Sequence, residues 1–77
     1  MALISLSRIA PGHKGTVKEI RGTGLFFNRL RALGMRPEAE VAVVKKAPFG
    51  DPLEIHIGGQ RLALRKHEAE QILLAIA

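Results

Sequence analysis

Residues 25–44 read LFFNRLRALGMRPEAEVAVV, and this stretch decides the fold. Apolar residues at Phe26, Leu30 and Leu33 recur at spacing i, i+4, i+7, one face of an amphipathic helix. Gly34 stands just past the last of them, where a helix ending on a left-handed residue most often has glycine. Met35 can then fold back on Leu30, as a Schellman ending requires. Pro37 bars continuation of the helix, and Val41 to Val44 begin a β-branched run. The stretch therefore predicts a helix from Leu25 to Leu33, a sharp stop, and a strand from Ala39 to Lys46. Such a helix has to lie against a small sheet.

The rest of the chain supplies that sheet. The surest element is a hairpin: Leu53, Ile55 and Ile57 alternate with Glu54 and His56, Gly58-Gly59 forms a primed two-residue loop, and Gln60 to Arg65 returns. Leu62 and Leu64 face inward there, and Arg61, Ala63 and Arg65 outward. Before the helix, Leu6 and Ile9 are candidate core residues, Pro11-Gly12 is a turn, and Thr16 to Ile20 reads as a strand. Val17 and Ile20 differ in parity, which a bulge near Lys18-Glu19 reconciles. Gly22-Thr23-Gly24 lacks the third glycine or the Lys-Ser/Thr of a phosphate loop, so it reads as a connecting turn with Thr23 capping the helix. Pro48-Phe49-Gly50-Asp51-Pro52 is a compact turn. The tail from Lys66 fits either a helical stripe or a strand. An unclosed sheet leaves edges exposed, which favours a helical turn over Lys66 to Gln71 followed by a short strand.

Seventy-seven residues make one domain, of a size that buries only about 60% of its unfolded surface. No cysteine is present, so neither disulfides nor thiolate metal ligands can staple it. The 47% apolar content, mostly Ala, Leu, Ile and Val, has to form a tight aliphatic core. A net charge of +5 points to an acidic partner (nucleic acid, an anionic membrane surface or an acidic protein face) or serves solubility alone. No apolar run approaches the roughly 20 residues of a membrane span, and MALISLSRIAPG lacks the pattern of a signal peptide, so a cytoplasmic protein is expected.

Chemistry is sparse. His13, His56 and His67 show no metal-ligand spacing. Glu54 and His56 share a strand face and are the one weak candidate pair for a metal, against the roughly three or four protein ligands that zinc takes. The only hydroxyl nucleophiles are Ser5, Ser7, Thr16 and Thr23, none in a recognisable catalytic arrangement. Neither an enzyme nor a cofactor is expected. Nucleic acid is disfavoured because Trp and Tyr are absent and Phe26, Phe27 and Phe49 lie off the hairpin where bases would stack.

A protein-interaction module remains. With Phe26 at the centre of the helical wheel, Leu25 and Phe27 lie about 100° to either side, an apolar arc of about 200°. That is wider than one small sheet covers, so Leu25 or Phe27 is expected to stay partly exposed unless the N-terminal segment covers it. Arg29, Arg31 and Arg36 sit nearby. Leu25, Phe27, Arg29, Arg31 and Arg36 are therefore the candidate partner-binding residues.

The order Leu6, Ile9-Ala10-Pro11-Gly12, then Arg29-Leu30, Leu33-Gly34-Met35 and Pro37, resembles the FeoA family of ferrous iron transport proteins. Ala47-Pro48-Phe49-Gly50-Asp51-Pro52 and the closing Ala63-Leu64-Arg65, Glu68-Ala69 and Ile72 extend the likeness over almost the whole chain. The resemblance implies a five-stranded SH3-like barrel with an inserted short helix and a short C-terminal helical turn. It also implies a small cytoplasmic accessory of FeoB, the membrane ferrous-iron transporter with a GTPase domain. One departure is visible: the family often has glycine where Glu38 follows Pro37, which leaves the turn type open. The same module resembles the C-terminal domain of DtxR-type iron-dependent repressors, without their helix-turn-helix in these residues. A stand-alone SH3-like interaction domain is thus the alternative, and a small basic RNA-binding barrel the next.

Overall fold

The structure, a computed structural model, describes residues 2–76. In chain order the elements are β1 (Ile4–Ser5), β2 (Lys14–Ile20), α1 (Leu25–Ala32), β3 (Glu40–Lys46), β4 (Leu53–Ile57), β5 (Gln60–Leu64), α2 (Lys66–Ala69) and β6 (Ile72–Ala75). One antiparallel sheet takes all six strands in the order β1-β6-β2-β3-β4-β5. Five strands were expected. The sixth is Ile4–Ser5, too short to announce itself, and it exists because β6 lies beside it, pairing Ile4 with Leu74 and Ser5 with Leu73.

Two bulges tune which face each side chain meets. In β2 the register against β6 shifts between Val17 and Glu19, where the parity conflict predicted it. In β3 a second shift between Val43 and Lys45 puts Lys45 opposite Glu54 on the outer face and leaves Lys46 opposite Leu53. Without it, strict alternation would turn the Lys45 ammonium inward. The core is aliphatic as the composition requires: Leu6, Val17, Met35, Val41, Val43, Leu53, Ile55, Leu64, Ile72 and Leu74 are almost wholly buried, and among the described residues no polar or charged one joins them.

The end of α1 follows the sequence. The Met35 N–H donates to the Leu30 carbonyl (2.9 Å) and the Gly34 N–H to the Arg31 carbonyl (3.1 Å), the two bonds of a Schellman motif. Gly34 adopts φ +116°, and Met35 folds back into the core. The next turn differs from what side-chain chemistry favours. The Ala39 N–H donates to the Arg36 carbonyl (3.0 Å) across Pro37 and Glu38, and Glu38 has φ +76°, a type II turn without its usual glycine. Lys18 Nζ donates to both carboxylate oxygens of Glu38, at 3.0 and 2.7 Å, and holds the side chain over β2.

The start of α1 is also different from expectation. Thr23 is not the cap: Gly24 occupies that position with φ +98°, and its carbonyl accepts the Asn28 N–H at 3.0 Å. A glycine conformation rather than a hydroxyl sets the direction in which the helix begins. At the other end of the chain, α2 and β6 reproduce the predicted helical turn and closing strand. Glu68 Oε1 accepts the Arg65 N–H at 2.7 Å, satisfying a donor at the start of that turn.

Candidate docking faces

The orientation of α1 decides which of its apolar residues is available. Phe27 and Leu30 point into the core and are 8% and 4% exposed, whereas Leu25 and Phe26 are 67% and 37% exposed. The expected rotation of the helix is therefore corrected. Phe26 is not the centre of the buried face, and Phe27 is a core residue, not a surface anchor. The cause is local: the Phe27 ring lies directly on Gly22, where a Cβ would come within 2.2 Å of two ring carbons. A glycine at that place lets the ring approach the backbone, and with Phe27 inward, Phe26 turns to the margin. The two rings meet edge to face at a centroid distance of 5.2 Å, so Phe26 is held by a core residue while presenting its other side to solvent.

The three arginines divide. Arg31 is half-buried and donates through Nη2 to the Gly22 carbonyl at 3.1 Å, fastening the loop before α1 to its last turn. Arg29 and Arg36 are exposed, and among the described residues neither pairs with a carboxylate. Of the predicted residues Leu25, Arg29 and Arg36 are exposed, Arg31 is half-buried and Phe27 is buried, while Phe26, outside the predicted set, is exposed.

A second face lies on the outside of β3, β4 and β5. The cross-strand rows there are Ala42, His56 and Arg61, then Lys45, Glu54 and Ala63. Glu54 and His56 do share this face, and the Glu54 carboxylate stands between two cations, 3.8 Å from Lys45 Nζ and 3.6 Å from Arg61 Nε. Among the described residues no group of three or more His, Cys, Asp or Glu side chains converges. Beside this row a groove of about 380 Å³ runs between Lys45 to Ala47, Pro52 to Glu54 and Ala63. The turn above it carries Phe49 at φ +65°, 99% exposed. Sequence pattern gave no sign of that conformation, since a bulky residue rarely adopts it. No helix among the described residues is long and apolar enough to cross a membrane.

Comparison with known proteins bears on this architecture directly. The family model for the FeoA domain matches residues 4–76. The chain belongs to the FeoA family. Among solved structures, a crystal structure of an iron uptake regulatory protein (FeoA) is 30% identical, covers 99% of this chain and 100% of its own, and superposes with a TM-score of 0.85. FeoA from Chlorobium tepidum is 32% identical over 96% of this chain and 71% of its own, with a TM-score of 0.87. The Stenotrophomonas maltophilia FeoA, solved in complex with zinc and described as a prokaryotic SH3 domain protein, is 30% identical over 94% and 89%, with a TM-score of 0.82. The SH3-like fold of this FeoA-family chain rests on that likeness. A manganese-dependent transcriptional repressor shares the fold alone, at 16% identity and a TM-score of 0.83 over 38% of its length. No curated protein matches the chain in sequence.

Proposed function

We propose that this FeoA-family chain is a cytoplasmic accessory of bacterial ferrous iron uptake that acts by docking on a FeoB-like membrane transporter with a GTPase domain. The observation that carries the reading is the FeoA family match from residue 4 to residue 76, combined with an apolar pair left out of the core on α1. Leu25 and Phe26 offer an aliphatic and an aromatic anchor, types of contact that gain most from desolvation at the centre of an interface. Arg29, one helical turn from Leu25, and Arg36, past the end of α1, speed encounter with an acidic partner surface, or with anionic lipid beside it. The docking element is thus the corrected helix face, with Phe27 and Arg31 holding it from behind.

The experiment is a comparison of Fe²⁺ uptake by cells with and without the gene. A changed initial uptake rate, restored by the wild-type chain and not by Leu25→Ser combined with Phe26→Ser, supports the proposal. Unchanged uptake refutes it and leaves a stand-alone SH3-like interaction domain as the better reading.

A further inference from the structure

β5 ends the sheet, and its outer edge is open. Which backbone groups it offers follows from the hairpin. Gly58 and Gly59 have φ +56° and +79°, a type I′ loop, so the flanking Ile57 and Gln60 exchange both of their hydrogen bonds. Bonded pairs alternate from there, which directs the N–H and C=O of Gln60, Leu62 and Leu64 toward β4. Those of Arg61 and Ala63 point away from the sheet. Among the described residues these outward groups have no hydrogen-bond partner.

The side chains on the same edge are one-sided in charge. Arg61, Ala63 and Arg65 share the outer face, all exposed, and Lys66 follows. Among the described residues Glu54, 3.6 Å from Arg61, makes the one side-chain ion pair with this row, while the Glu68 and Asp51 carboxylates accept the main-chain N–H of Arg65 and Lys66. Ala63, the small residue between the arginines, borders the groove behind it, so a side chain laid beside it has space. Unpaired edge groups are a template for another strand. A second copy of this chain is a poor occupant, because pairing two β5 edges antiparallel about Ala63 sets Arg61 of each copy directly opposite Arg65 of the other, and like charges directly opposite oppose pairing.

We propose that the β5 edge binds an extended acidic segment of a partner protein as an added antiparallel strand. Its main chain bonds to Arg61 and Ala63, an apolar side chain lies beside Ala63, and carboxylates lie opposite Arg61 and Arg65. The surface is separate from the α1 face and does not depend on the docking proposed there.

The test is a titration of the ¹⁵N-labelled protein with the capped peptide Thr-Glu-Thr-Val-Thr-Glu-Thr, which places Glu, Val and Glu opposite Arg65, Ala63 and Arg61. Binding should slow amide exchange at Arg61 and Ala63 by at least about tenfold at saturation. The same peptide with Lys for Glu, or N-methylated at Val, should not bind, and Arg61→Glu should weaken binding at least about tenfold. Ala63→Pro removes an outward N–H without touching the β4 ladder, and it should abolish binding with the core resonances unchanged. If Ala63→Pro does not fold, the N-methylated peptide decides the same point. No binding by about 1 mM peptide overturns the proposal. So does equal binding of the Lys peptide, perturbation centred on α1, or a dimer of the free protein that Arg61→Glu strengthens.

Discussion

Phe27 and Gly22 should be energetically coupled, and the sign of the coupling separates a core residue from a surface one. The Phe27 ring is 8% exposed and packs among the core side chains, so Phe27→Ala should cost about 3–5 kcal/mol. That is a large part of the roughly 4–12 kcal/mol expected for a domain of this length. Gly22→Ala in the wild-type background places a methyl 2.2 Å from two ring carbons, and the ring must shift outward; overpacking of this kind costs about 1–3 kcal/mol. In the Phe27→Ala background the obstacle is gone and the same methyl fills part of the cavity, so Gly22→Ala should there be neutral or stabilising. The cycle should close with a coupling of about 1–3 kcal/mol. Equilibrium urea unfolding followed by circular dichroism measures all four proteins, with Phe27→Leu in place of alanine if too little of that variant folds. A neutral Gly22→Ala in the wild type, or an equal cost in both backgrounds, would falsify the packing described here.

Three further outcomes follow from other places in the fold. Glu38 sits at φ +76°, so Glu38→Gly should be more stable than Glu38→Ala by about 1 kcal/mol, both having lost the Lys18 contact; a glycine variant that melts no higher contradicts the type II turn. At Gly34, where the nearest atom to an added Cβ is Ile57 Cγ1 at 4.0 Å, Gly34→Val should lose roughly 1–2 kcal/mol from backbone strain alone, and unchanged thermal stability would place the helix stop elsewhere. Calorimetry of the monomer with Fe²⁺ or Zn²⁺ should show no stoichiometric sub-micromolar site, given the absence of thiolates and a Glu54 carboxylate already facing Lys45 and Arg61; tight one-to-one binding would overturn this.

Local chemistry made much of the fold legible. Gly58-Gly59 between alternating Leu53–Ile57 and Gln60–Leu64 specifies its hairpin through turn geometry and period. Gly34 and Met35 specify the helix ending, and the parity clash of Val17 with Ile20 locates a bulge. What sequence could not show depends on contacts made across the molecule. Ile4–Ser5 is a strand only because β6, about 70 residues on, lies beside it. Whether Phe26 or Phe27 turns inward depends on how the ring fits over Gly22 and on the direction set by Gly24, neither of which a helical wheel contains. Positive φ at Glu38 and Phe49 is imposed by the closing geometry of their turns, against the preference of both residue types. The helical wheel thus took Phe27 for an exposed aromatic, and the structure exposes Phe26, one position away, instead.

The exposed pair on α1 is proposed as the surface that meets the transporter. Surface-binding measurements on the cytoplasmic part of a FeoB-like transporter test it most directly, comparing wild type, Leu25→Ser with Phe26→Ser, and Arg61→Glu. An anchor buried at an interface is worth at least about 2 kcal/mol, so the helix double variant should bind at least about 30-fold more weakly with its melting temperature retained. Arg61→Glu should leave that affinity intact. Normal binding by the helix variant together with loss of binding by Arg61→Glu would contradict the account and move the transporter contact to the hairpin.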